Sequence, residues 1–180
     1  MKATGIVRRV DDLGRIVIPK EIRRTLRIRE GDPLEIYTDT QGEVIFKKYS
    51  PIGEMTDSAV QYAEVLAKDC PFGIAICDRD RVIAAAGVSK RETVDRRATP
   101  ELEALMESRR AYIYKSGEVD YVRPFDGLEV RASVIVPIIA SGDIIGAVVM
   151  LMSEKNRIPT EADVRLCRVA AGFLGRQMEE

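Results

Sequence analysis

Thr4 to Leu26, TGIVRRVDDLGRIVIPKEIRRTL, is the stretch whose reading decides the fold. It sets basic residues among β-branched ones around a turn glycine and a proline. Ile6, Val7 and Val10 predict a strand, Gly14 a turn, and Ile16, Val17 and Ile18 a second strand buried on both faces. Pro19 opens a short helix, where its missing N–H is no loss, and Ile22 and Leu26 fall on one face. Arg23, Arg24 and Arg27 are left on the other. The unit therefore presents Arg8, Arg9 and Arg15 from its strand ends and Arg23 and Arg24 from its helix, a set that attracts polyanions. The competing reading is a solvated surface in which Asp11, Asp12 and Glu21 neutralise these arginines.

Outward from this stretch, Arg29 to Pro33 is a turn and Leu34 and Ile36 alternate with Glu35 and Tyr37. Asp39 to Gly42 then reverses the chain into Val44, Ile45 and Phe46, a hairpin signature. Residues 1–50 thus read as strand, strand, helix, strand, strand. A domain near ~60 residues buries only about 60% of its unfolded surface, and this one is smaller. A lone sheet cannot cover both faces of residues 16–18. The expected remedy is an obligate homodimer whose interleaved strands close one shared barrel.

The charge is uneven along the 180 residues. Residues 1–50 hold 11 Lys+Arg against 8 Asp+Glu, a net +3, and residues 51–180 hold 17 against 21, a net −4. A near-neutral total conceals a basic head and an acidic body. Cys70, Cys77 and Cys167 have no paired metal-ligand spacing and the chain has no histidine, so no metal site is expected and a reducing compartment fits. No phosphate-cradling glycine loop and no nucleophile paired with a base is found, so no catalytic residue, cofactor or enzymatic activity is expected. The longest apolar run, Ile144 to Met152, is broken by Gly146 and falls short of the ~20 residues of a spanning helix. A cytoplasmic protein without membrane contact is the expectation.

Tyr49 to Gly53 has the residues that end a strand and begin a new unit, which puts the domains at 1–50 and 54–180 with a short linker at 51–53. Met55, Ala59, Tyr62, Ala63 and Leu66 mark an amphipathic helix, with Val60 and Ala67 as a second apolar stripe. Strands are predicted at Gly73 to Asp78, Val82 to Ala86, Ala111 to Lys115, Val119 to Arg123, Val130 to Ile139 and Ile144 to Met152. Thr99 and Pro100 start one helix. Thr160, three residues before Asp163, starts the last. That final helix has two apolar stripes, one with Ala162, Leu166, Val169, Ala170 and Phe173, the other with Cys167, Ala171, Leu174 and Met178.

The order and spacing of GIVR, DDLGR, VIPKEIRR and GDPLEI resemble the swapped-hairpin DNA-binding head of AbrB-type transition-state regulators of endospore-forming bacteria. The resemblance implies double-stranded DNA as partner, contacted by Arg8, Arg15, Arg23 and Arg24, with Arg9 at a position that is basic in the family. VIVPI followed by GDIIGAVVML is similar to the central hairpin of a GAF domain. The implied class is α+β: a swapped-hairpin barrel formed by an interleaved dimer, then a GAF-like antiparallel sheet with flanking helices. Terminal helices of two bodies would form a four-helix bundle, making a homotetramer. The resemblance also implies a regulator, activating and repressing genes of late, forespore-stage sporulation and residing with the nucleoid.

GAF-like domains often hold a small ligand in the position of Val88 to Gly127. Lys90, Arg91, Arg96, Arg97, Tyr112, Tyr114 and Tyr121 there suit an unidentified anionic or aromatic molecule. The competing reading is a pocket filled by its own side chains. Some GAF-like proteins are cysteine reductases, yet Cys77 and Cys167 read as small buried hydrophobes. The alternative to DNA binding is a signalling or antitoxin-like head that meets an acidic protein. The folded body speaks against it, because related antitoxins carry a disordered tail.

Overall fold

The computed structural model describes residues 4–117, 121–152 and 157–179. The chain divides between Tyr49 and Ser50 into two compact units.

In the first unit an extended segment with one tight turn leads into α1 (Lys20–Thr25), β1 (Leu34–Thr38) and β2 (Val44–Lys48). β1 and β2 pair antiparallel with Ile36 opposite Phe46. The Asp39 carboxylate closes their reversal by accepting the N–H groups of Gln41 at 3.0 Å and Glu43 at 2.8 Å. The strands expected at Ile6–Val10 and Ile16–Ile18 differ: both segments run without a ladder, and Val7 and Val17 are 87% and 72% exposed. A strand needs a neighbour's N–H and C=O, and among the described residues one copy of the chain provides no such neighbour. Apart from Pro19, no apolar residue of 4–49 is buried.

The second unit opens with α2 (Pro51–Glu54), so the stretch read as linker is a helical turn, anchored by the fully buried Ile52. α3 (Thr56–Asp69), β3 (Gly73–Asp78), β4 (Val82–Ala86), α4 (Lys90–Thr93), α5 (Pro100–Glu107), β5 (Tyr112–Ile113), β6 (Ala132–Ala140), β7 (Asp143–Leu151) and α6 (Glu161–Gln177) follow. Five strands form one antiparallel sheet in the order β4-β3-β7-β6-β5.

Ala59, Ala63 and Leu66 of α3 and Val164, Cys167, Ala171 and Leu174 of α6 pack on one face, against Ile74, Ile76, Val134, Val148 and Met150. Leu102 and Met106 of α5, with Phe125, cover Ala75, Ile135, Val149 and Leu151 on the other. With both faces covered, β3 is buried at every position, which is why these strands read as continuous apolar runs. The strand expected at 111–115 shrinks to Tyr112–Ile113 at the sheet edge. Of the strand expected at 119–123, residues 119 and 120 lie outside the described residues, and residues 121–123 form none. α6 begins with the expected capping box of Thr160 and Asp163. Val164, in neither predicted stripe, is buried, whereas Ala162 is exposed.

The two residues that flank the division are each bonded within their own unit. Tyr49 N–H donates to Pro33 O at 3.0 Å within the first unit. Ser50 Oγ donates to Asp78 at 3.0 Å and caps α2 by accepting the Gly53 N–H at 3.1 Å. Asp78, itself buried, also accepts the N–H groups of Asp80 and Arg81, each at 2.7 Å.

Two glycines are required by packing: a Cβ on Gly146 would overlap the carbonyl of Cys77, and one on Gly175 that of Ile139. Gly146→Ala and Gly175→Ala should each lower stability by about 1–3 kcal/mol in denaturant unfolding. Gly172→Ala, at a helical site facing open space, should be neutral or stabilise by about 0.5–1 kcal/mol.

Candidate nucleic-acid interface

Each sequence-predicted arginine lies at the surface of the first unit. Arg8 and Arg9 are exposed on the extended segment, and Arg23 and Arg24 are exposed and adjacent on α1. Among the described residues, the side chains of these four have no ion pair or hydrogen bond. Arg15 closes the turn between the two extended segments. Asp11 N–H donates to Arg15 O at 3.0 Å and Gly14 N–H to Asp11 O at 3.0 Å, with Gly14 at φ 76°.

Asp11 organises this turn. Its carboxylate accepts Leu13 N–H at 3.0 Å, Arg15 N–H at 2.7 Å and Arg15 Nε–H at 2.8 Å. Those bonds, the Arg15 backbone N–H first and its guanidinium second, hold the carboxyl below the ordinary carboxylate range. The sequence named Asp11 only as a neutraliser; its structural role was carried by the Asp-x-x-Gly pattern of a side-chain-closed turn. Asp12 and Glu21 show no pairing with the arginines, so only Arg15 follows the solvated reading. Four uncompensated guanidinium groups favour anions through charge and through planar two-donor geometry.

The body contains a second exposed feature of the opposite character. Val65, Val169 and Phe173 are 56%, 63% and 44% exposed, and Tyr62 of α3 stacks on Phe173 of α6 with ring centroids 5.0 Å apart. α3 and α6 thus share an apolar stripe on the side away from the sheet. Within 88–127, several of the side chains that could hold a ligand are already engaged by neighbours. Lys90 bonds Glu64 at 2.7 Å, Arg96 donates to Glu92 O at 2.7 Å, and Arg131 and Arg123 lie over the Tyr121 ring at 3.7 and 5.3 Å. Arg91 and Arg97 remain exposed, and Tyr112 and Tyr114 are half-buried. All three cysteines are free and buried. Burial pushes their thiols up, Cys77 and Cys167 far beyond the usual range, which opposes thiolate chemistry. Among the described residues no cluster of His, Cys, Asp or Glu suits a metal, and no helix is long and apolar enough to cross a membrane.

An arginine-bearing head built on a hairpin and short helix, followed by a GAF-like α+β body, defines a two-part regulator of the AbrB type. Residues 54–179 match the family described as "Stage V sporulation protein T C-terminal, transcription factor", and residues 7–53 match "Antidote-toxin recognition MazE, bacterial antitoxin". The chain belongs to the stage V sporulation protein T family. It is 49% identical over 181 residues to stage V sporulation protein T of Bacillus subtilis (strain 168), covering 100% of both chains. The transition state regulatory protein AbrB of the same organism is 54% identical over 69 residues, spanning 35% of this chain and 71% of that protein. A solved type II free methionine-R-sulfoxide reductase from Thermoplasma acidophilum shares the body's fold at 12% identity, with a TM-score of 0.54 over 71% of this chain and 94% of that one.

Because Asp11 is depressed in the folded state, its contribution is present above the ordinary carboxylate value and is lost as pH falls through the lowered one. NMR titration should give an Asp11 midpoint below the ordinary value, with the Leu13 and Arg15 amide resonances shifting at the same midpoint.

Proposed function

We propose that this transcription regulator of the sporulation family grips promoter DNA through paired copies of residues 1–50, with Arg8, Arg15, Arg23 and Arg24 as principal contacts and Arg9 in support. The observation that carries the reading is a unit which leaves four arginines uncompensated while burying no apolar residue but Pro19. Ile6, Val7, Val10, Leu13, Ile16 and Val17 are all exposed in one copy. Interleaving two copies would cover these residues, complete the missing ladders and double the positive charge on one surface. AbrB's similarity over the head supports the same assignment.

The head contains no Asn, and its one Gln, Gln41, sits in the reversal between β1 and β2. Base readout therefore falls to Arg on guanine or to groove shape, giving tolerant specificity with a strong phosphate component. Residues 54–180 serve in this proposal as the regulatory and oligomerising domain, with the α3 and α6 stripes of two bodies forming a four-helix bundle that joins dimers into a tetramer. The buried thiols and the lack of histidine support a non-enzymatic role. Action on forespore-stage genes, in a cytoplasmic, nucleoid-associated setting, is part of this proposal, and the similarity to a stage V sporulation protein supports the link to sporulation.

The match of residues 7–53 to the antitoxin family favours a second reading, in which the head binds an acidic protein. A folded body where an antitoxin would need a wrapping tail stands against it. Pull-down before and after nuclease treatment separates the two, since a protein partner survives nuclease.

Arg8→Ala, Arg15→Ala, Arg23→Ala and Arg24→Ala should each weaken duplex binding in gel-shift titrations with the far-UV spectrum unchanged. With four to eight arginines on phosphates, log affinity should fall against log salt with a slope of about −4 to −7; a slope near zero would defeat the electrostatic account. Val169→Ser with Phe173→Ser should convert tetramer to dimer in light scattering and leave the head's affinity for a single duplex intact.

A further inference from the structure

Arg27 follows Leu26, the C-cap of α1, and has φ 52°. Its N–H reaches Arg24 O at 3.3 Å, and Ile28 N–H closes on Arg23 O at 2.7 Å. This is the left-handed bend that ends many helices, where glycine is the favoured occupant because any Cβ is crowded. Strain of this kind persists where the surrounding structure enforces it, and it concentrates at working surfaces. The bend is enforced here from outside the helix. Lys48 Nζ donates to Arg27 O at 2.9 Å, and the same ammonium lies 3.3 Å from Asp32, whose side chain is only 3% exposed.

Three other described non-glycine residues have positive φ: Asp95, Arg109 and Ser141. Aspartate and serine are ordinary turn residues. Arg109 repeats the situation of Arg27, just beyond the end of α5 with φ 58°. A cation at a helix C-terminus gains from the dipole in either place, so the dipole alone does not distinguish them. What distinguishes Arg27 is its setting, three and four residues after the exposed, uncompensated Arg24 and Arg23.

We infer that Arg27 is a further DNA-contacting arginine of the head, occupying a backbone position that suits glycine because the position adds charge beside Arg23 and Arg24. The inference rests on the head being the DNA-binding surface. It makes the end of α1 a place where stability and binding pull in opposite directions.

The test uses the full-length protein, a labelled mixed-sequence DNA duplex, and thermal melting of each variant. Arg27→Gly should melt higher than the parent and bind more weakly, by about eightfold per lost phosphate contact near ~0.1 M salt, with the log–log salt slope flattened by about one per contact. Arg27→Lys, which keeps the charge, should retain most of the affinity and the slope. Arg109→Gly should melt higher with affinity and slope unchanged. Arg27→Asn, which tolerates the same bend, provides a second neutral variant and should bind like Arg27→Gly. Unchanged affinity and slope in both neutral variants, while Arg8→Ala and Arg24→Ala still weaken binding, would overturn the assignment of Arg27 and leave the head intact as the binding surface. Unchanged binding in Arg8→Ala and Arg24→Ala as well would remove the head from DNA contact, and this assignment with it.

Discussion

Backbone hydrogen bonding is the constraint from which the first unit's behaviour follows. Every strand segment must find partners for its N–H and C=O groups, and every apolar side chain must find cover. Residues 4–18 satisfy neither demand in one copy: the segments on either side of the Asp11–Arg15 turn have no ladder, and Ile6, Val7, Val10, Ile16 and Val17 are exposed. The hairpin of β1 and β2 is too short to supply what they lack. A unit of this size leaves a second copy as the simplest source of both strand edges and apolar surface. In the proposed dimer, completion of the fold and assembly of the cationic surface would be one event, because the apolar residues left uncovered in one copy alternate in sequence with those that carry charge.

The second unit meets the same demand by itself. Its sheet has helices on one face and α5 with the Phe125 segment on the other, so β3 is dry throughout and β6 and β7 are dry over most of their length. Small residues make the close packing possible. Gly146 lies against the Cys77 carbonyl and Gly175 against Ile139, which lets β3 approach β7 and α6 approach β6 without a side chain between them. The thiols of Cys77 and Cys167 belong to this packed interior, donating to the carbonyls of Ala147 and Val148. The likeness to a reductase is therefore one of chain path.

Much of this was legible in the sequence, for definable reasons. The β6–β7 hairpin was visible because a four-residue polar break separates two long β-rich runs. The start of α6 was visible because Thr160 and Asp163 have capping spacing. The arginine set was visible because its residues punctuate a short apolar framework. What escaped depends on contacts that no local pattern encodes. Whether residues 6–10 and 16–18 become strands is decided by a neighbour. The two-residue length of β5 is set by its place at the sheet edge. Val164 is buried because α6 is rotated to bring Cys167 and Leu174 onto the sheet, a choice that two competing stripes left open. The helical turn at Pro51–Glu54 looked like linker because Pro and Gly break most patterns, yet Ser50 caps it and Ile52 sinks it.

The bonds at that junction have a mechanical meaning. Tyr49 is tied by its amide to Pro33, and Ser50, the very next residue, is tied by its hydroxyl to the buried Asp78. Within the second unit a single carboxylate thereby serves two elements, the first turn of α2 and the reversal between β3 and β4, so removing it would loosen both together.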